Sequence, residues 1–116
     1  MRRLLPLALL WLLLPALHAA PAGAASSDYP TAARADYVFA CMTVNGGSQE
    51  ALQHCSCAID VIASLLPYSA YEAADTVLRM RQLSGGYLAQ TFHTRSTNDT
   101  VRRLEEAQAE AEVRCF

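Results

Sequence analysis

The sequence contains no lysine, and its only tryptophan, Trp11, lies in an apolar N-terminal segment. All of the strongly basic charge therefore comes from nine arginines, which are outnumbered by eleven Asp and Glu residues. The arginines are scattered along the chain, whereas nucleic-acid-binding proteins cluster basic residues, often interleaved with aromatic ones, on one face. The composition predicts a mildly acidic protein that does not bind nucleic acid.

Several patterns that carry enzyme or cofactor chemistry are also missing. The chain has no Gly-x-Ser-x-Gly elbow of the serine hydrolases and no Cys-x-x-Cys of the thiol oxidoreductases. It also lacks the Cys-x-x-Cys-His of c-type haem proteins and the Asp-x-Asp-x-Asp-Gly of calcium loops. We therefore expect a protein that is not an enzyme and holds no resident cofactor.

The N-terminus has the pattern of a secretory signal peptide. Two arginines precede an apolar run from Leu4 to Leu17, and small residues follow at 19–24. The run is shorter than the roughly 20 residues of a membrane span, and no second one follows. We predict cleavage after Ala24, with Ala22 as the alternative, and a periplasmic or secreted mature protein without a membrane span.

The sequence predicts that the mature chain forms one all-α domain. Apolar residues recur at spacings of three and four, which is typical of helices, and no segment alternates apolar and polar residues long enough for a strand. We predict a signal peptide over 1–24, a flexible leader over 25–31 and a helical domain over 32–116. The domain should be a small bundle of about four helices stapled by two disulfides.

Local signals predict where each helix begins and ends. Thr31 can cap the first helix, which should cover 32–44, and Ser48 can cap a second that runs to Pro67. A capping box of Ser69 and Glu72 predicts the start of a third helix. The last helix should begin at a cap of Thr97 or Asn98, and 87–95 should form a short helical turn or an ordered loop.

The apolar stripes predict which helix faces are buried. On the second helix, the predicted stripe is Leu52, Cys55, Ile59, Ile62 and Leu66. On the third helix, it is Ala73, Val77 and Met80, with Ala70 and Ala74 allowing close approach. On the last helix, it is Val101, Leu104, Ala107 or Gln108, Ala111 and Arg114.

Four cysteines in a small exported chain indicate two disulfides. Cys55 and Cys57 cannot pair with each other in a helix, because residues two apart point about 200° away from each other. An antiparallel first helix would place Cys41 beside Cys55, which shares the apolar stripe, and leave Cys57 to reach Cys115. We prefer this pairing, and the crossed pairing remains the alternative.

Two further features are candidates for binding. The run of His54, Cys55 and Cys57, with Cys41 and Met42 nearby, could form a soft-ligand site for copper or zinc if the thiols were reduced. Tyr87, Leu88 and Phe92 follow the flexible pair Gly85-Gly86, and aromatic residues on a loop, here Tyr87 and Phe92, are candidates for a protein-binding edge; packing into the core is the alternative.

The segment from Tyr37 to Gln82, with YVFACM, NGG and CSCAIDVIA, and the terminal Arg-Cys-Phe, resembles small exported four-cysteine proteins of Gram-negative bacteria. Some of these accompany quinone-cofactor alcohol dehydrogenases. The resemblance implies only a periplasmic location and a neighbourhood beside such dehydrogenases, and it carries over no catalytic residue. We predict a non-enzymatic accessory or binding module that acts through a protein partner; the alternative is a periplasmic metal-handling protein.

Overall fold

The structure is a computed structural model that describes residues 28–116. The predicted signal peptide and residues 25–27 of the predicted leader lie outside the described residues. The described chain is all-helical, as predicted, with four long helices and one single-turn helix: α1 (Thr31–Val44), α2 (Gln49–Leu65), α3 (Tyr68–Leu83), α4 (Tyr87–Gln90) and α5 (Arg95–Cys115). Between residues 28 and 116, none of the helices is both long and apolar enough to cross a membrane.

A tight turn joins α1 and α2 into an antiparallel pair. Gly46 and Gly47 in this turn have φ of 91° and 65°, a backbone conformation that is strained for residues with a Cβ atom. The Asn45 side-chain amide donates to the carbonyl oxygen of Cys41 at 2.9 Å and helps to end α1. The Ser48 hydroxyl accepts from the backbone N–H of Ala51 at 3.0 Å, which confirms the predicted cap of α2.

α2 lies at the centre of the bundle, with α1 and α5 packed against it. Its buried residues are Ala51, Cys55, Ala58, Ile59, Ile62 and Ala63, and Leu66 is buried just beyond its end. The predicted stripe is therefore confirmed, except that Leu52 is half-buried. Ile62 and Cys55 are the largest fully buried side chains of the described residues, and this helix contributes more buried residues than any other described helix.

The start and the buried face of α3 differ from the prediction. The helix begins at Tyr68, with Pro67 at the N-cap position and no side-chain cap, so Ser69 lies inside the helix and no Ser69–Glu72 capping box forms. Its buried residues are Tyr71 and Ala74, with Leu78 packed against the core, whereas Ala73 is exposed and Val77 and Met80 are half-buried. The large ring of Tyr71 gains more from burial than the small side chain of Ala73, and this sets the rotation of the helix.

α5 begins three or four residues earlier than predicted, with its cap at Thr94. The Thr94 hydroxyl accepts from the backbone N–H of Thr97 at 3.2 Å, and the Thr97 hydroxyl accepts from that of Thr94 at 3.0 Å. This reciprocal cap replaces the predicted cap at Thr97 or Asn98. The predicted stripe is otherwise found, with Arg114 exposed and Cys115 buried in its place: the buried residues are Val101, Leu104, Ala107, Ala111 and Cys115.

Tyr29 anchors the chain ahead of α1. Its side chain is only 4% exposed, and its hydroxyl donates to the backbone carbonyl of Leu66 at 2.8 Å. Its ring packs against those of Tyr68 and Tyr71, with centroids 5.2 and 5.3 Å away. The prediction of a flexible leader through residue 31 is wrong for its last three residues, because burial of this ring outweighs the entropy lost by ordering them.

This buried tyrosine makes stability depend on pH in alkaline solution. Burial, together with the neighbouring carboxylate of Asp28, raises the pKa of Tyr29 to about 12. Since this pKa lies above the unfolded value of about 10, the stabilisation is fully present below pH 10 and is lost as the pH rises through 12. At pH 11, ionisation of Tyr29 alone should lower the free energy of unfolding by about 1.4 kcal/mol, which urea unfolding measures.

The matched control for the pH profile is the exposed Tyr87. Tyr87→Phe should leave the alkaline loss unchanged, whereas Tyr29→Phe should reduce it. Burial also raises the pKa of Tyr37 and Tyr71, so part of the loss should remain in the Tyr29→Phe variant. A wild-type stability that is flat from pH 9 to 11 would contradict this prediction.

Candidate functional site

All four cysteines of the chain form disulfides, Cys41 with Cys55 and Cys57 with Cys115. Both bonds join Cα atoms 5.8 Å apart, which lies within the usual range for a disulfide. The preferred pairing is therefore the one present. The antiparallel packing of α1 on α2 brings Cys41 to Cys55, and the C-terminal end of α5 lies beside Cys57. Two disulfides of this kind are compatible with a secreted or periplasmic protein.

The proposed metal ligands do not form a site in this oxidised state. The sulfurs of Cys41, Cys55 and Cys57 are bonded in disulfides and hence are not thiolates. The ring of His54 packs edge to face against Phe116, with centroids 5.1 Å apart. Within residues 28–116, no three His, Cys, Asp or Glu side chains are grouped as metal ligands. Metal handling would require reduction of the disulfides.

Tyr87 and Phe92, the two aromatic residues of the predicted binding edge, have different environments in the structure. Tyr87 begins α4 and is 82% exposed. Phe92 is half-buried, and its carbonyl oxygen accepts from the guanidinium of Arg81 at 2.8 and 3.0 Å and from the Thr97 hydroxyl at 2.7 Å. Phe92 therefore fixes the connection between α3 and α5, while Tyr87 remains available on the surface.

Two leucines near Tyr87 are exposed as well. Leu83 ends α3 and is 81% exposed, and Leu88 in α4 is 62% exposed. Together with Tyr87 they form what we call the apolar corner, three large apolar side chains within a six-residue stretch. The position of Leu88 next to Tyr87 already suggested that it belongs to the same surface. The exposure of Leu83 was not predicted, because the sequence does not show which face of the end of α3 is exposed.

A groove of about 440 Å³ lies between α1, α3 and α5, and we call it the three-helix groove. Apolar and aromatic residues lining it are Tyr37, Ala40, Cys41, Val44, Tyr71, Leu78 and Leu104. Polar residues lining it are Asp36, Asn45, Asp75, Arg79, Gln108 and Glu112. The sequence did not predict this groove, because its residues come from three helices that are distant along the chain.

Two of the three carboxylates that line the three-helix groove form ion pairs, and the third does not. Arg79 forms ion pairs with both Asp75 and Asp36, and so ties α3 to α1. The hydrogen bonds to these carboxylates raise the pKa of Arg79. The side chain of Glu112 has no hydrogen-bond or ion-pair partner among the described residues, although its backbone carbonyl accepts from the N–H of Phe116. Its carboxylate adds to burial in raising the pKa of Tyr37, which lines the same groove.

Comparison of the chain with protein-family models, with curated proteins and with solved structures finds no match. The candidate sites must therefore be judged on their own residues. These are the apolar corner, which offers a protein-binding surface, and the three-helix groove, which offers a cavity with an acidic rim.

Proposed function

We propose that the chain is an exported, non-enzymatic accessory module that binds a protein partner through the apolar corner. The observation that supports this is the exposure of Leu83, Tyr87 and Leu88 in one short stretch. Single exposed apolar residues are ordinary on a protein surface, but a cluster of them is typical of an interaction site. Tyrosine at the centre of such a cluster is among the residues enriched in protein interfaces.

The construction of the corner supports the same proposal. The hydrogen bonds from Arg81 and Thr97 to the carbonyl oxygen of Phe92 hold the α3–α5 connection in place. Gly86 precedes α4 with φ of 60°, a conformation that a residue with a side chain rarely adopts. A corner ordered in this way loses less conformational entropy on binding than a flexible loop would.

The choice of partner rests on the sequence resemblance and the compartment. The leader pattern and the two disulfides favour an oxidising compartment outside the cytoplasm. The resemblance to proteins that accompany quinone-cofactor alcohol dehydrogenases makes such a dehydrogenase of the same organism the first partner to test.

The test is site-specific photo-crosslinking in the producing cells. A photoreactive residue at position 87 should give one discrete cross-linked species, and Leu83→Ser with Leu88→Ser should reduce it at least tenfold. The same residue at Gln53, exposed on α2 and away from α4, is the matched control and should give little product. Equal product from both positions, or product unaffected by the serine variants, would rule out the corner. Mass spectrometry of the product then tests the dehydrogenase assignment.

A further inference from the structure

We propose that the three-helix groove binds a small organic cation, with the cationic group beside Glu112 and an apolar body on the floor of the groove. This proposal is independent of the apolar corner, whose residues do not line the groove. The volume of about 440 Å³ lies within the range of about 300–1,000 Å³ that is usual for small-molecule sites. A floor of tyrosine, leucine and valine side chains suits an aromatic or aliphatic body.

The charge of the groove determines the sign of the ligand. Three carboxylates line it, those of Asp36, Asp75 and Glu112, against the single guanidinium of Arg79. This guanidinium already contacts two of the carboxylates, which leaves Glu112 without a cationic partner among the described residues. An anion would be repelled here, whereas a cation would complete an ion pair with the exposed carboxylate of Glu112.

Two helix ends add to the negative potential of the groove. α1 ends at Val44, which lines the groove, and Glu112 lies in the last turn of α5. The carboxyl-terminal end of a helix carries partial negative charge and favours a cation. The half-buried ring of Tyr37 also lines the groove, and cations bind the faces of such rings when they lie close to them. Carboxylate, helix ends and ring therefore favour the same ligand charge.

Benzylamine, which is cationic at pH 7, is the probe, and benzyl alcohol is its neutral counterpart. In an amide NMR titration of the mature protein, benzylamine should cause saturable shifts at Tyr37, Leu104 and Glu112. Benzyl alcohol should bind at least fivefold more weakly, because it lacks the charge. Shifts confined to other parts of the surface, or equal affinities for the two probes, would overturn the proposal.

A pair of matched variants tests the role of Glu112. Glu112→Gln keeps the size and exposure of the side chain and should weaken benzylamine binding at least fivefold. Glu105→Gln removes the same charge from an exposed position on the same helix that does not line the groove, and should leave binding unchanged. The NMR spectra of both variants also report whether the fold is retained. Unchanged affinity in a folded Glu112→Gln variant, or equal losses in the two variants, would overturn the proposal.

Discussion

Reduction of the Cys57–Cys115 disulfide is expected to lower the free energy of unfolding by roughly 4 kcal/mol. This bond joins residues 58 positions apart, so it restricts the unfolded chain strongly. The Cys41–Cys55 bond spans 14 positions and should contribute less, roughly 3 kcal/mol in the same chain-entropy treatment. Because the two loops do not overlap along the chain, their contributions should add. Their sum approaches the whole stability of a small domain, so the fully reduced protein should be largely unfolded.

Two single-disulfide variants separate these contributions. In Cys41→Ala/Cys55→Ala, reduction breaks only the Cys57–Cys115 bond, and in Cys57→Ala/Cys115→Ala it breaks only the other. Urea unfolding with and without reductant then compares one sequence with itself, so the packing lost from the buried Cys55 cancels. If reduction lowers the free energy of unfolding by less than about 1 kcal/mol in both variants, the disulfides do not stabilise this fold as proposed.

The features of α2 could be predicted from the sequence because their causes are local. The Ser48 hydroxyl caps an N–H three residues away, and Pro67 lies just beyond the end of the helix. The apolar stripe of α2 is long enough to fix which face is buried. The disulfide pairing could be ranked for a related reason, since the short Gly46-Gly47 turn forces α1 to lie antiparallel to α2.

The features that the sequence did not predict depend on contacts between distant residues. Tyr29 looked like part of a polar leader, yet its ring packs on Tyr68 and Tyr71 from the start of α3. The same contact explains why Tyr71, rather than Ala73, faces the core. Alanine-rich helices carry a weak pattern, so their rotation is decided by the partners they pack against.

The candidate sites divide in the same way. Tyr87 could be predicted at the surface because a Gly-Gly pair precedes it, and it is exposed. The three-helix groove has no local signature, since Tyr37, Leu78 and Glu112 come together only when three helices pack. The His54–Cys57 run resembled a metal site because its ligand types are neighbours in the sequence. Its cysteines instead form disulfides with Cys41 and Cys115, which lie elsewhere in the chain.

Tyr29→Ala is expected to lower the free energy of unfolding by about 3–5 kcal/mol, because it removes a buried aromatic ring from the core. Tyr29→Phe keeps the ring but loses the hydrogen bond to the carbonyl oxygen of Leu66, and should cost about 1 kcal/mol. Tyr87→Ala is the exposed control and should change stability by less than about 0.5 kcal/mol. Urea unfolding followed by circular dichroism measures all three. If Tyr29→Ala costs no more than Tyr87→Ala, residues 29–31 do not belong to the folded domain.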